Sequence, residues 1–434
     1  MRDGARAQAA IEVLEDSVDT KRPPALCLKD WANKHRFAGS KDRSAIGDIV
    51  FMAMRLRAQS SYAFGQENPR AWVLGALKFG FGMSNDEIIA WSHDNEHSFA
   101  TPNEEELKCF EKSFENCDPW VIGNYPKWLD GELQKAFGDN RGTELAALSK
   151  PAPLDFRVNS IKSNIDNLIK ELSSSPKLQS EILKTPLSKI GARLAWSNGR
   201  AFPFAVEPAF LRGEFEVQDE ASQLCAQLTG AKEGQKIADV CAGGGGKTLA
   251  LGALTNNKAN IIAYDTDPNR IAPIYERLRR AGVDADVRTD RRGIDTFKDI
   301  NGKCDVVLVD APCTGAGTWR RAPDTKWKLT DQNIEKRQND QQSALKMAAP
   351  LVKKGGLLAY VTCSILPCEN DESVEKFLNA YPQYEAKPIM QHLQELGMEY
   401  LADHVHFTKY GIQFTPLKSN TDGFYFAPLI LSEQ

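Results

Sequence analysis

Lys236-Ile-Ala-Asp-Val-Cys241-Ala-Gly-Gly-Gly-Gly-Lys-Thr248 decides the fold. Six residues rich in apolar and β-branched side chains run into four glycines, and Lys247-Thr248 then opens a helical stretch. A glycine-rich turn between strand and helix lets backbone amides approach a ligand at the positive end of the helix. Two nucleotide folds use such a turn. The P-loop needs glycine five places before Gly246, and that place is Cys241. A Rossmann-like fold needs an acidic residue about twenty positions on, to take a ribose hydroxyl pair. Asp265, at the end of Ile261-Ile-Ala-Tyr264, meets that spacing.

Working outward, apolar runs at 236–241, 260–264, 284–288, 305–310 and 357–361 alternate with helical stretches, which predicts βαβ units and a mainly parallel sheet. In such a sheet ligands sit beyond the carboxyl ends of strands. The strand ending at Asp310 is followed by Ala-Pro-Cys313-Thr-Gly, and the next ends in Tyr360-Val-Thr-Cys363-Ser. Both cysteines are therefore expected in the crevice of the glycine turn. A small buried hydrophobe is the commoner fate of an intracellular cysteine, but two at adjacent strand ends argue for chemistry.

The 434 residues predict three regions. Residues 1–145 read as helices, from Ala7, Ala10, Ile11, Leu14 and Val18 at helical spacing and from capping boxes at Ser84/Glu87 and Thr101/Glu104. Ser149-Lys-Pro-Ala-Pro153 marks a boundary, and 146–215 reads as a small α+β region with strands at Phe156–Val158 and Arg193–Trp196. Residues 216–434 carry the βαβ pattern. The amino terminus resembles neither a signal nor a transit peptide, and no apolar run approaches the about 18 residues of a membrane span. A cytoplasmic monomer without membrane contact is expected. Nine cysteines without a Cys-x-x-Cys pair predict neither a disulfide framework nor a zinc ribbon, and the six histidines show no metal spacing.

The net charge of −4 is unlike a basic nucleic-acid binder. However, residues 81–120 alone carry ten acidic and two basic side chains, a local −8 that leaves +4 on the rest. Between Arg270 and Arg292 seven arginines face four acids, and Trp319, Arg320, Arg321, Lys326, Trp327 and Lys328 form a basic stretch with aromatics. That stretch suits phosphate contact and base stacking, or equally a solvated loop with structural tryptophans. Arg157 and Asn159 are weaker candidates for RNA contact.

Val217-Gln-Asp-Glu-Ala-Ser-Gln223, the turn from Cys241 to Thr248, Asp265 with Arg270, Asp310-Ala-Pro-Cys313, Arg320-Arg-Ala-Pro-Asp324 with Lys326-Trp327, Thr362-Cys-Ser364 with Glu369-Asn370, and Thr421-Asp-Gly-Phe-Tyr-Phe-Ala427 follow one another in order. In this the chain resembles the RsmB-like (Sun/Fmu-type) branch of the RNA cytosine-5 methyltransferases. The resemblance implies a class I methyltransferase domain with a mainly parallel seven-stranded sheet, preceded by a small α+β region and a helical NusB-like RNA-binding domain. It implies S-adenosylmethionine as methyl donor and RNA, chiefly small-subunit ribosomal RNA, as substrate. The turn Cys241, Ala242, Gly243, Gly244, Gly245, Gly246 and Lys247 would hold the donor with Arg270, Asp265 its ribose, and Asp290 its adenine side. Asp310 would face donor and base, Cys363 would be the nucleophile, and Cys313 would help release product.

The chemistry supports those roles independently. Carbon 5 of cytosine becomes nucleophilic when a thiolate adds to carbon 6, and protonation or hydrogen bonding at nitrogen 3 favours the addition. Asp310 could serve there if burial raised its pKa. No metal is required. The family's turn reads Cys-Ala-Ala-Pro-Gly-Gly-Lys-Thr, whereas here Gly243 and Gly244 stand for the second alanine and the proline. That departure predicts a looser turn and weaker or more salt-sensitive donor binding, by about 0.4–1 kcal/mol for each change where the geometry is compatible. It also leaves room for a non-catalytic ribosome-assembly factor on the same fold.

Overall fold

The computed structural model describes residues 1–178, 181–195, 202–290 and 296–432. Trp196, Arg291 and Arg292, used in the sequence reading, lie outside the described residues. The chain forms two compact units, Met1–Lys150 with Trp319–Leu329, and Pro151–Thr318 with Thr330–Gln434.

The first unit is helical. Ala7, Ala10, Ile11 and Leu14 of helix Asp3–Thr20 meet Ile46, Ile49, Val50 and Ala53 of helix Ser40–Arg55 in one buried cluster, as their helical spacing predicts. The Ser84/Glu87 capping box forms. The second box is displaced: helix Glu104–Cys109 is capped by Asn103 with Glu106, and Thr101 Oγ1 instead lies 3.0 Å from Ser92 Oγ.

The stretch Trp319–Leu329 belongs to this unit as structure. Lys326 is 1% exposed, with Nζ 3.1 Å from Ser149 Oγ and 3.4 Å from the Arg55 carbonyl. Trp327 Nε1 donates to the Met54 carbonyl at 2.7 Å, and Arg57 lies over both Trp72 and Trp327. Burial, and then the charge of Arg55, push the Lys326 ammonium well below its ordinary pKa. The tryptophans of the stretch are structural, as one of the two weighed uses has it, but Arg320 and Lys326 are buried and not part of a solvated loop.

The second unit holds two sheets. In the small one, β1 (Leu154–Val158), β2 (Ile182–Lys184), β3 (Gly191–Leu194) and β4 (Phe215–Val217) lie antiparallel in the order β2-β3-β1-β4. Helix Ile165–Ser173 covers it through Leu168 and Leu172. Arg157 and Asn159 are buried here, and Asn159 Nδ2 donates to the carbonyls of Gly213 (2.9 Å) and Ala281 (2.8 Å). Neither is available for RNA contact.

The large sheet comprises β5 (Lys236–Asp239), β6 (Asn260–Tyr264), β7 (Asp286–Arg288), β8 (Cys304–Asp310), β9 (Val352–Thr362), β10 (Tyr384–Ala386), β11 (His406–Phe407), β12 (Ile412–Gln413) and β13 (Tyr425–Leu431). The order is β11-β12-β13-β9-β8-β5-β6-β7, with β10 also on β13. Among the described residues it has nine strands, not the seven expected. The five parallel strands β7, β6, β5, β8 and β9 are those of the sequence pattern, and the four others join antiparallel. The extra strands β11 and β12 are two residues long, too short to show a period.

Alternation along the strands places the core. Ala238, Val240, Val307, Val309, Leu358 and Tyr360 pack on one face with Ala344, Leu345, Ala348 and Phe377. Ile237, Val306, Leu308, Leu357 and Ala359 pack on the other with Leu224, Cys225 and Leu251. Burial on both faces explains why these strands read as continuous apolar runs.

Candidate functional site

The chain runs β5, β6, β7 toward one edge and then returns to place β8 and β9 on the opposite side of β5. The reversal leaves a crevice beyond the carboxyl ends of β5 and β8, where open sheets of this kind bind ligands. Cys241, Asp265, Cys313 and Cys363 each follow within three residues of the ends of β5, β6, β8 and β9, and Asp310 ends β8. The sheet therefore gathers residues far apart in sequence at one edge.

The glycine turn begins as Ala242 N donates to the Tyr264 carbonyl at 2.9 Å. Gly243 adopts φ +49° and its N–H donates to Asp265 Oδ2 at 3.0 Å, while Asp265 Oδ1 accepts from Asp267 N at 2.9 Å. Gly245, at φ +82°, caps helix Gly246–Leu254, and a Cβ there would lie 2.5 Å from Ile274 Cγ1. The left-handed backbone at Gly243 corrects one expectation. An alanine would be strained at that φ, so glycine in its place is a requirement of this turn and not simple loosening.

Below the turn, Thr248 Oγ1 donates to Asp239 Oδ2 at 2.7 Å, while buried Asp239 Oδ1 has no partner. Burial, with the charge of Asp310 adding, pushes Asp239 up to about 7 against the Thr248 hydrogen bond. Cys241, taken as part of the donor site, has its thiol pushed far up by burial and is held neutral. Arg270 Nη2 stands 3.7 Å from Asp265 Oδ2. Asp290 is exposed and accepts from the buried Tyr264 hydroxyl at 2.5 Å.

Lys247 Nζ, 5% exposed, donates to Asp310 Oδ2 at 2.6 Å and lies 5.1 Å from the Phe424 ring centre. Burial is the largest single influence and lowers its pKa, but the charge and hydrogen bond of Asp310 together with the neighbouring thiols outweigh it and the ammonium is raised. The Asp310 side chain is 34% exposed, so the deep burial invoked for it from sequence is absent.

Cys313 Sγ and Cys363 Sγ are 3.3 Å apart, and both are free thiols. The hydrogen bond to Cys363, reinforced by burial, raises the Cys313 thiol well above its ordinary value, so Cys313 holds its proton. Their loops are tied together from behind. Glu369 Oε1 accepts from Thr314 N (2.8 Å) and Gln341 Nε2 (3.1 Å), and its Oε2 accepts from Thr314 Oγ1 (2.6 Å) and Ser364 Oγ (2.5 Å). Asn370 accepts from Thr362 Oγ1 at 2.6 Å and donates to the Ser364 carbonyl at 3.0 Å. One buried carboxylate thus holds the residue that follows each cysteine. Glu369 and Asn370 stand among the ordered motifs of the sequence, whereas Gln341, on helix Asp331–Ala348, left no sequence signal.

Residues 226–430 match the family described as 16S rRNA methyltransferase RsmB/F. Ribosomal RNA small subunit methyltransferase B of Yersinia pseudotuberculosis serotype O:1b (strain IP 31758) is 30% identical over 329 residues, 75% of this chain and 70% of that protein. The chain belongs to the RsmB/F family. The probable methyltransferase B of Bacillus subtilis (strain 168) is also 30% identical, over 70% of this chain, and the match spans 65% of that relative's length. Among solved structures, PH0851 superposes over 99% of both chains with a TM-score of 0.71 at 22% identity, which shows the fold. A methyltransferase homologue from Pyrococcus horikoshii covers 74% of this chain and 99% of its own at 26% identity and a TM-score of 0.57. The P-loop alternative falls with the RsmB/F assignment, and S-adenosylmethionine is the methyl donor.

The residues present fit that donor. The turn offers backbone amides at a helix N-terminus, Asp265 is a buried acceptor at the end of β6, and Asp239 presents an orphaned oxygen.

Proposed function

We propose that this RsmB/F member methylates carbon 5 of a cytosine in RNA, most specifically small-subunit ribosomal RNA, through a covalent adduct on Cys363. The observation that carries the reading is the pair of thiols 3.3 Å apart beside Asp310 and Lys247 at the sheet's switch point.

The turn from Cys241 to Lys247 and Asp265 hold the donor, with Arg270 and Asp290 at the rim. S-adenosylmethionine supplies an electrophilic sulfonium methyl when bound. Cys363 adds as thiolate to carbon 6, forming a carbon–sulfur bond and making carbon 5 enamine-like. Asp310 and Lys247 offer an acceptor and N–H donors to the polar edge of the ring. After methylation Cys313, having given its own proton to solvent, takes the carbon 5 proton as thiolate, and the carbon–sulfur bond breaks with its electron pair to release Cys363 as thiolate. The raised pKa of Cys313 suits that order: its leading cause is the bond to Cys363, which is lost once that sulfur is alkylated. The base must leave its stack to reach these groups. Residues 1–145 serve as the NusB-like RNA-binding domain, 146–215 as a connecting region and 216–434 as the methyltransferase domain of a cytoplasmic monomer.

The test uses an unmethylated small-subunit rRNA transcript with S-adenosylmethionine. Cys313→Ala should accumulate a covalent protein–RNA adduct, because addition proceeds and release stalls; Cys363→Ala should give neither adduct nor product. Methylation surviving Cys363→Ala would refute the assigned nucleophile. Bisulfite mapping of RNA from cells with and without the protein would name the cytosine.

A further inference from the structure

The family pattern has a proline where this chain has Gly244, and something else must hold the turn. Arg277, on helix Ile274–Ala281, does so from behind: its Nη1 donates to the Gly244 carbonyl at 2.6 Å. Its Nη2 is held by Glu216 Oε2 at 2.9 Å, and Glu216, 4% exposed on β4, also takes Arg280 Nη2 through its other oxygen at 2.5 Å. Arg280 in turn lies 3.8 Å from the Phe210 ring centre. The guanidinium is thus fixed at both ends, with a carboxylate on one nitrogen and the turn's carbonyl on the other.

Gly244 and Arg277 depend on each other. A Cβ at 244 would lie 3.3 Å from Arg277 Nη1, closer than ordinary van der Waals contact, so a side chain there would make the guanidinium give by a few tenths of an ångström. A proline stiffens a turn by fixing φ in its own ring. An arginine clamp stiffens it by a charge-assisted hydrogen bond to the free carbonyl, about twice as strong as a neutral one. We propose that Arg277, oriented by Glu216, is a positioning residue for the S-adenosylmethionine site, replacing with a tertiary contact the local rigidity of the family's proline.

This rests on the reading that the glycine turn holds the donor, and the experiment separates the two. Binding of S-adenosylhomocysteine to the full chain is measured by calorimetry, alongside kcat and the two KM values on unmethylated rRNA transcript. Arg277→Ala should raise the Kd and the KM for S-adenosylmethionine about tenfold, leaving kcat at saturating donor and the KM for RNA unchanged. Arg277→Lys should recover part of the loss, since one ammonium can reach the carbonyl or Glu216 but does not fork to both. If Arg277→Ala fails to fold, Arg277→Gln, which fills more of the space and leaves the Glu216–Arg280 pair in place, should show the same tenfold rise. An unchanged Kd, or a fall in kcat and rise in the KM for RNA alongside it, overturns the proposal. Asp265→Ala is the control: if it too leaves the Kd unchanged, the error lies in placing the donor at the turn.

Discussion

The glycine turn and the two cysteine loops stand at neighbouring strand ends of one sheet, yet they are held in different ways. The cysteine loops are cross-braced by side chains: Glu369 accepts four hydrogen bonds, and Asn370 bonds residues on either side of Cys363. The turn is held by its own backbone, with Gly243 and Gly245 left-handed, and by outside grips on single groups from Asp265 and Arg277. Where two sulfurs must stay within 3.3 Å of each other, a buried network fixes both loops at once. Beneath the turn no such network closes, and the buried Asp239 Oδ1 is left without a hydrogen-bond partner.

The largest effect should come from breaking the brace. Glu369→Ala frees Thr314 and Ser364, and a displacement of either sulfur by about 1 Å is expected to cost roughly 100-fold in kcat. The KM for S-adenosylmethionine should not change, because nothing in the turn touches Glu369. Glu369→Gln should lose far less: an amide oxygen still accepts from Thr314 N, and the hydroxyls of Thr314 and Ser364 can accept from the amide nitrogen. Steady-state kinetics on the two variants checks both statements. Equal losses would mean that the negative charge, and not the geometry, is what the site uses.

A smaller and opposite split is expected at the turn. Gly243→Ala restores the family's residue but places a Cβ at φ +49°, at a cost of about 1 kcal/mol. The KM for S-adenosylmethionine should rise roughly fivefold with kcat retained. If the variant instead bound the donor more tightly, the turn would be free to leave the left-handed region.

What the sequence made legible follows from the same contrast. The parallel strands, the glycine turn, Asp265 and the two cysteines were readable because each is a local pattern: an apolar run, a turn, a residue at a strand end. Glu216, Arg277 and Gln341 were not, because each acts across a gap in the chain, 28 to 61 residues in the bonds cited, and carries no local signature. The basic aromatic stretch at 319–328 stayed open between two readings for a related reason. Composition counts Lys326 and Trp327 as charge and stacking surface, whereas packing has buried the lysine and spent the indole N–H on the Met54 carbonyl. The count of seven strands failed where strands of two residues carry no period.

Asp239 gives the smallest and most diagnostic effect. Its carboxyl ionises at 3.8 in the ordinary case and at about 7 in the folded chain, because burial disfavours the charge and Asp310 adds to it. Between those values the unfolded chain releases this proton and the folded one keeps it, so the folded state loses stability as pH rises from about 4 to about 7 and does not regain it above. Asp239→Asn keeps an acceptor for Thr248 and removes the titration. Whatever fixed cost the amide brings, the Tm of Asp239→Asn relative to the unsubstituted chain should climb by a few degrees between pH 5 and pH 8, measured by calorimetry without donor. A difference that stays flat across that range would show that Asp239 is already ionised at pH 5 and that its unpartnered oxygen is solvated. The turn would then be supported by a fixed charge, and its contrast with the braced cysteine loops would narrow.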